Sequence, residues 1–431
     1  MNDRSGSRPF GVWTATAMVV GTMIGSGIFV LPSQLAAYGW TGAAGWVVAG
    51  AGAMLIAVVM VELTRAMPDE PSMISICGAA LGPATGVMIG WSYWVSVWCA
   101  NAVVATTAAR YLATFYPAAG ASPLRVALLG TAIVIALTAI NLRGARGVGR
   151  LQVATTVIKL VPLVVVALLI AWLAMAGQSV SLENTSEPFS LGQISPAMGI
   201  AFFAVMGFEG LSLVTERVRD PARNVLLATL WGLGLTTLLY IIVCTGMAFA
   251  SPTAALAASQ APVAFFIDLH LGHGPALLVA AFAAMAGIGY LNGATLLLGE
   301  MPLCAVRGGL LPGWLARTNA RDVATAPLLV GTALSIVLMI GAASRSGGQV
   351  LEFMLKMTTV STVFLYIGAC VASLALGKLR VLALAGIAFA LWVIQSVGLE
   401  AAAWGIGLVA LGFPLWFLTS RAPATSATAS G

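Results

Sequence analysis

The stretch Gly21-Thr22-Met23-Ile24-Gly25-Ser26-Gly27-Ile28-Phe29 lies within an apolar segment, residues 12–37, that is long enough to cross a lipid bilayer. It places three glycines and two hydroxyl residues near mid-depth. Glycine weakens a helix interior by about 1 kcal/mol relative to alanine, and backbone groups freed inside a membrane are tolerated only where they line a cavity. The stretch therefore predicts a membrane helix that breaks at mid-depth and offers its free amides and carbonyls to a small ligand.

The composition is that of a polytopic membrane protein. Of the 431 residues, 60% are hydrophobic and 8% are charged, whereas charged residues make up about 25% of soluble domains. The alternating segments of about 10 residues that build membrane β-barrels are absent from the sequence. Twelve apolar segments are each near or above the length that a spanning helix needs. They cover residues 11–37, 42–63, 82–116, 124–141, 151–176, 195–215, 224–249, 275–300, 326–343, 350–376, 379–397 and 400–419.

The distribution of basic residues predicts the orientation in the membrane. With twelve helices, most lysines and arginines fall on one face, and only Arg110, Arg125 and Arg345 lie near helix ends on the other. The positive-inside rule then places both termini in the cytoplasm of a multi-pass protein of the inner or plasma membrane. Because the basic residues alternate between loops instead of forming one patch, the net charge of +6 does not indicate nucleic-acid binding. His270 and His273 lie in a loop that this arrangement makes external.

A second glycine cluster, Gly207-Phe208-Glu209-Gly210, interrupts the sixth segment. Its offset of five segments from the first cluster matches an inverted repeat in which two broken helices face each other. Close helix packing of the small-xxx-small kind is the alternative for either cluster. The carboxylate of Glu209 favours the broken helix, because burying it unpaired in a membrane costs several kcal/mol and marks a functional position.

Several stretches together resemble the amino acid–polyamine–organocation superfamily, and within it the basic amino acid/polyamine antiporters of the arginine/agmatine type. The resemblance runs from about Phe10 to Leu418. The stretches that carry it are Gly21 to Pro32, Tyr93-Trp94 with Asn101, Gly207-Phe208-Glu209, Asp220-Pro221-Ala222-Arg223-Asn224-Val225 and Arg307-Gly308-Gly309-Leu310-Leu311-Pro312.

The resemblance implies an all-α fold of twelve transmembrane helices, with a 5+5 inverted repeat and broken helices 1 and 6. Together with the charge distribution and the Ala/Ser/Thr-rich composition of the tail, this predicts a cytoplasmic N-terminus at residues 1–10, one transporter domain at 11–420 and a disordered cytoplasmic tail at 421–431. Within the domain, repeat 1 covers about 11–176, repeat 2 about 195–376 and the two last helices about 379–419. In relatives these two helices support a homodimer. The implied activity is transport of an amino acid or amine, with no enzyme chemistry, cofactor or metal.

The resemblance also carries over a set of substrate-binding positions. Ile24, Gly25, Ser26 and Gly27 match a carboxylate cradle, and Asn101 matches an amide that contacts substrate. For Asn101 an interhelical hydrogen bond is an equal alternative. The full set is Ile24, Gly25, Ser26, Gly27, Ser96, Val97, Asn101, Phe203, Met206, Gly207, Glu209, Ala294 and Thr358.

Aromatic positions in this set bear on gating and selectivity. Tyr93 resembles the outer-gate tyrosine, although a tyrosine of the interfacial belt is a serious alternative. Phe203 stands where the antiporters carry a gating tryptophan, and its ring can cover a substrate or stack on a cation. Ala294 replaces a second tryptophan, which removes a wall against the guanidinium of arginine and leaves room for a different side chain.

Two ionisable residues are candidates for proton coupling. Glu209 is the first, by resemblance. Lys159 is the second, because it lies about 13 Å into the fifth segment at 1.5 Å per residue, which is deep for a lysine that snorkels to the surface. Relatives that do not use sodium carry a lysine whose ammonium replaces a sodium ion. We therefore expect Lys159 to stand in for sodium and to exchange a proton during transport.

The sequence favours a secondary antiporter for a basic amino acid and its amine. The alternative is a proton-coupled permease or exporter of neutral or branched-chain amino acids, which Ala294 and Lys159 support. A channel filter, a membrane-embedded catalytic cluster and a phosphate-binding loop for a nucleotide-driven pump are all absent from the sequence.

Overall fold

The computed structural model describes residues 11–25, 27–70, 72–143, 146–177, 188–209, 218–307, 317–321, 323–344, 347–414 and 417. The expected N-terminus at 1–10 and tail at 421–431 lie outside these residues. The described residues form α-helices, one 3-10 helix at Ala36–Tyr38 and an isolated bridge between Thr318 and Ala324. An all-α membrane protein is what the sequence predicts.

The helices of the first half and of the second half follow in chain order. The first eight are α1 (Val12–Met23), α2 (Gly27–Leu35), α3 (Gly39–Ala66), α4 (Met73–Leu81), α5 (Pro83–Ala113), α6 (Pro117–Gly120), α7 (Pro123–Asn141) and α8 (Arg146–Met175). The others are α9 (Leu191–Val205), α10 (Pro221–Phe249), α11 (Thr253–Ala258), α12 (Pro262–Leu271), α13 (His273–Arg307), α14 (Thr325–Ala342), α15 (Gly347–Ala375), α16 (Arg380–Ser396) and α17 (Leu399–Ala410).

Among the described residues, eight helices are long and apolar enough to cross a membrane, or nine if the bent pair Arg380–Ser396 and Leu399–Pro414 forms one span. α1 and α9 are apolar but have only 12 and 15 residues, so each needs a following half-helix to cross. The structure thus agrees with a polytopic membrane protein, and the number of twelve crossings stays a prediction.

The first predicted break is confirmed. α1 ends at Met23, and Ile24 leaves the helical conformation with ψ 86°. The amide of Gly25 donates to the carbonyl of Met23 at 2.8 Å, and α2 begins at Gly27. The first-turn amides of α2, which have no partner within the helix, therefore lie at the break.

The first half of the second predicted break is confirmed, because α9 ends one residue before the glycine cluster, whereas residues 210–217 after it lie outside the described residues. α9 ends at Val205, and Met206 is extended with ψ 159°. Gly207 follows with φ +105°, a conformation that favours glycine. A Cβ atom added at Gly207 would lie 3.1 Å from the carbonyl oxygen of Thr22. The two breaks therefore contact each other directly.

Long helices surround the breaks. α5 packs along α13 and α15, while α3 packs against α9 and α10. Side chains of α5 bond to backbone carbonyls of its neighbours: Trp94 Nε1 donates to Leu298 O at 3.0 Å. In the opposite direction, Ser335 Oγ donates to Trp98 O at 2.8 Å. These bonds fix the rotation of α5, which carries many of the side chains at the breaks.

Short helices occupy stretches that the sequence leaves as connections, at 63–82 and 250–275. α4 begins after Ser72, whose side chain accepts a hydrogen bond from the amide of Ser75, as an N-cap does. α12 begins with Pro262 at its first position, where proline fits without loss of a hydrogen bond. Local capping residues therefore explain helices that are too short to register as membrane segments.

Candidate functional site

A cavity of about 100 Å³ lies where the two helix breaks meet. It is bordered by both broken segments and by α5, α13 and α15. Its lining residues are Thr22, Met23, Gly25, Gly27, Tyr93, Ser96, Val97, Ala100, Val104, Phe203, Ala204, Met206, Gly207, Glu209, Tyr290, Thr358 and Thr362. Sites for small ligands usually measure ~300–1,000 Å³, so this cavity has to widen before it can hold an amino acid.

Four hydroxyl groups of the cavity are already used as donors. Thr22, Ser96, Thr358 and Thr362 each donate to a carbonyl three or four residues earlier in their own helix, at 2.7–3.0 Å. A hydroxyl has one hydrogen to donate and two lone pairs. The four oxygens therefore offer lone pairs, which suit an ammonium or another hydrogen-bond donor.

The carboxylate of Glu209 is held from three sides. Its Oε1 accepts from the Tyr93 hydroxyl at 3.2 Å. Its Oε2 accepts from the Tyr366 hydroxyl on α15 at 3.0 Å and from the amide of Gly207 at 3.0 Å. These bonds join α5 and α15 to the second break through one side chain that also lines the cavity.

Two aromatic rings pack on glycines of the first break. A Cβ atom at Gly27 would lie 3.1 Å from the ring of Phe203, and one at Gly25 would lie 3.3 Å from the ring of Tyr290. Glycine at both positions lets α9 and α13 approach the break closely. The rings of Phe203 and Tyr290 thus form two walls of the cavity.

Lys159 lies next to the first break without lining the cavity. Its side chain is 1% exposed, and its Nζ donates to the carbonyl oxygen of Gly21 at 2.9 Å. Since α8 begins at Arg146, Lys159 is about 20 Å from that end at 1.5 Å per residue. It is deeper in its helix than the sequence suggests, and it meets the carbonyl end of α1.

Most of the predicted substrate-binding residues meet at the cavity. Those that line it are Gly25, Gly27, Ser96, Val97, Phe203, Met206, Gly207, Glu209 and Thr358, together with the predicted gate residue Tyr93. Ile24, Asn101 and Ala294 are buried but lie outside the lining. Ser26 lies outside the described residues. Whether the lining residues contact substrate stays a prediction.

The rotation of the helices explains the exceptions. Asn101 lies one turn from Val97 and from Val104, which both line the cavity, so its fully buried amide is at the edge of the same face. In the described part of the chain, neither polar atom of that amide has a hydrogen-bond partner. Ala294 instead packs with Trp94 and Leu298 in a separate apolar cluster.

Tyr290 is the most informative residue that sequence reasoning missed. It lies four residues before Ala294, on the same face of α13, and supplies the aromatic wall expected from a tryptophan at position 294. An aromatic residue one turn away from a lost aromatic position is a signal that the sequence contained. The other residues missed are Thr22, Met23, Ala100, Val104, Ala204 and Thr362.

The two predicted gate residues are associated with different parts of the second break. Phe203 belongs to α9, which precedes the break. Tyr93 bonds to Glu209, which follows it. Both side chains line the same cavity, and the gating roles of Tyr93 and Phe203 stay predictions.

Comparison with known proteins agrees with this geometry. A family model described as amino acid permease matches residues 10–419. The chain belongs to the amino acid permease family. This permease is 29% identical over 373 residues to a cadaverine/lysine antiporter of Escherichia coli K12, with 85% of the chain and 83% of the relative covered.

Two other relatives of this permease are also antiporters by name. An arginine/ornithine antiporter of Pseudomonas aeruginosa is 28% identical over 336 residues, with 75% of the chain and 69% of the relative covered. An arginine/agmatine antiporter of Chlamydia abortus is 25% identical over 445 residues, with 96% and 90% covered. These matches confirm the superfamily that the motifs of both helix breaks indicate.

Proposed function

We propose that this permease is a secondary antiporter that exchanges a basic amino acid for another basic amino acid or for the corresponding amine. The observation that carries the proposal is the charge of the cavity. Glu209 and four hydroxyl oxygens line it, whereas no lysine or arginine is among its described lining residues. Such a cavity favours a ligand with a cationic group. The relatives named for lysine, ornithine, arginine and their amines carry cations of this kind.

The proposed binding mode follows from the two ends of such a ligand. The first-turn amides of α2 suit the carboxylate of an amino acid. Glu209 and the hydroxyls suit its ammonium groups. Asn101, whose buried amide is without a partner in the described structure, gains one when a ligand widens the cavity. A buried amide without a partner is otherwise costly, so this supports a role in substrate binding.

The proposed transport cycle opens the cavity alternately at Phe203 and at the hydrogen-bonded group of Tyr93, Tyr366 and Glu209. The ring of Phe203 moves to open the side of the break that precedes it. A joint movement of Tyr93, Tyr366 and Glu209, with their hydrogen bonds kept, opens the side that follows. The cavity of about 100 Å³ then represents a state that is too narrow to hold the substrate.

Ligand-dependent protection from heat tests the substrate class. Ligands that bind only the folded state raise the unfolding temperature, and at equal concentration a tighter ligand raises it more. We expect lysine, ornithine, arginine and cadaverine to protect the purified permease and leucine to leave it unchanged. Protection by leucine, with none by the basic compounds, would contradict the proposal and favour a permease for neutral amino acids.

Proton-coupled uptake is the second candidate function, and the bond between Lys159 and Gly21 favours it. An ammonium at the carbonyl end of a broken helix is placed as a coupling cation is in transporters with discontinuous helices. A pH gradient that drives net uptake into vesicles without internal substrate would establish this function. If the same gradient drives no net uptake, the exchange mechanism holds.

The proposal includes the orientation that the basic residues predict. Both termini then lie in the cytoplasm, and the C-terminal end of α5 and the short helix α12 lie at the external face of the membrane. A homodimer through α16 and α17 stays a prediction.

A further inference from the structure

A second cavity, of about 400 Å³, lies where α5 ends and α13 begins. It is separate from the cavity at the helix breaks, and the two share no lining residue. Its volume falls within the ~300–1,000 Å³ that is usual for small-ligand sites. Its polar lining residues are Arg110, Thr114, Ser259, Gln260, Asp268 and His273.

Arg110 is the buried cation of this second cavity. Arg110 is 8% exposed. It lines the cavity from the last turns of α5. A guanidinium carries five N–H donors in a planar fork that matches a carboxylate. Arg110 can therefore hold a ligand carboxylate while it keeps bonds within the protein.

A negative charge lies at the exposed rim of the same cavity. Asp268 Oδ1 is 3.4 Å from His273 Nδ1, and their side chains are 50% and 76% exposed. The second carboxylate oxygen of Asp268 is available to an ammonium group. The cavity thus has a buried cation and an anion at its rim. These charges are complementary to the carboxylate and the ammonium group of an amino acid.

We propose that the second cavity binds the amino acid substrate and not its decarboxylated amine. The carboxylate of the amino acid pairs with Arg110, and an ammonium group pairs with Asp268. An amine can still pair with Asp268, but it has no carboxylate for Arg110 and is repelled by the buried guanidinium. This inference rests on the proposed function, since that function supplies a ligand pair that differs by a carboxylate.

The position of the second cavity gives it a use in transport. Val104 lines the central cavity and Arg110 the second one, and six residues of α5 separate them by about 9 Å. The cavity lies at the membrane face that we expect to be external. An amino acid held there is concentrated next to the transport site, whereas the outgoing amine is not retained. The site therefore favours one direction of exchange.

Equilibrium binding to the purified full-length protein tests this assignment. We expect the wild type to bind two molecules of labelled lysine and one of labelled cadaverine. Arg110→Gln should bind one lysine and one cadaverine. Glu209→Gln, which alters the central cavity, should bind one lysine and no cadaverine. Arg125→Gln is the matched control, because Arg125 lies on the same face, is exposed and bonds to Ala118 O at 2.9 Å outside the cavity.

A second variant guards against a folding defect in Arg110→Gln. Asp268→Asn changes an exposed rim residue and should weaken the second lysine several-fold without changing cadaverine binding. The second site would be overturned if the wild type bound one lysine per chain and if that binding were lost in Glu209→Gln and kept in Arg110→Gln. The proposed function would then stay intact. Absence of binding of both ligands to the wild type would overturn the proposed function as well.

Discussion

Lys159 and Gly21 connect α8 to the end of α1: the lysine Nζ donates to the glycine carbonyl oxygen at 2.9 Å. The last carbonyls of a helix have no partner within it, and its C-terminal end attracts cations. The break in the first membrane segment exposes such carbonyls at mid-depth. The hydroxyl of Tyr240 satisfies a second one, the carbonyl of Met23, at 3.0 Å. Buried side chains thus stabilise the break that forms one wall of the site.

Replacing Lys159 should impair transport strongly. Lys159→Met keeps a chain of similar length but removes the cation and its bond to Gly21. Hydrogen bonds to charged groups are worth about 1.5–3 kcal/mol, so we expect the exchange rate to fall at least about tenfold. Lys356→Met is the control, because Lys356 is partly exposed and pairs with Glu352 at 2.6 Å, away from the first break. Initial rates at equal protein density check this.

Sodium provides an independent check on Lys159. If its ammonium stands in for sodium, exchange by the wild type proceeds equally in sodium and in choline buffers. Stimulation of the wild type by sodium would contradict the assigned role of this lysine.

Neutralising Glu209 should remove the pH dependence of transport. Glu209→Gln keeps the shape and one acceptor oxygen, but it replaces the other oxygen with an NH2 donor and cannot exchange a proton. We expect slow exchange that is flat across pH, whereas the wild-type rate changes with pH. Exchange rates measured from pH 5 to pH 8, with Glu352→Gln as control, check this. A glutamine variant with the full wild-type rates and pH profile would refute the role in proton coupling.

The two tyrosines that hold Glu209 should act through it. Tyr366→Phe removes the 3.0 Å bond and Tyr93→Phe the 3.2 Å bond. Each loss should raise the activation barrier of exchange by about 1 kcal/mol, which lowers the exchange rate roughly fivefold. In the Glu209→Gln background the same changes should have little further effect, because contacting residues are not additive. Additive losses in the double variants would show that the hydroxyls act elsewhere.

Gly207 should be the least replaceable glycine of the second break. Its φ of +105° is strained for alanine, and a Cβ atom would lie 3.1 Å from Thr22 O. Such strain costs about 1–3 kcal/mol, so Gly207→Ala should lower thermal stability and abolish exchange. Gly407→Ala on α17 is the control, because a Cβ atom there meets nothing within 4 Å. It should leave stability unchanged or raise it by up to about 1 kcal/mol.

The helix breaks could be predicted because their cause is local. Three glycines in the first stretch and the cluster at Gly207 weaken a helix wherever they occur, and Glu209 marks a functional depth. The first break and the end of α9 appear in the structure within one residue of where the sequence indicates them.

The side of each helix that faces the cavity could not be predicted as well, because rotation depends on packing between helices. Bonds such as Trp94 to Leu298 set the rotation of α5 and α13, so that Val104 and Tyr290 line the cavity while Asn101 and Ala294 lie outside its lining. Whether Asn101 and Ala294 contact substrate stays a prediction. The second cavity was also missed, since it depends on helices in a connecting stretch. The proline that begins α12 can be read from the sequence, but the packing of that stretch against α5 cannot.

Counterflow in proteoliposomes tests the central proposal of antiport most directly. Labelled lysine is supplied outside vesicles that contain lysine, cadaverine, leucine or buffer alone, with equal pH on both sides. Antiport predicts rapid uptake into vesicles loaded with lysine or cadaverine and background uptake into those with leucine or buffer. Equal uptake into empty and loaded vesicles would contradict it.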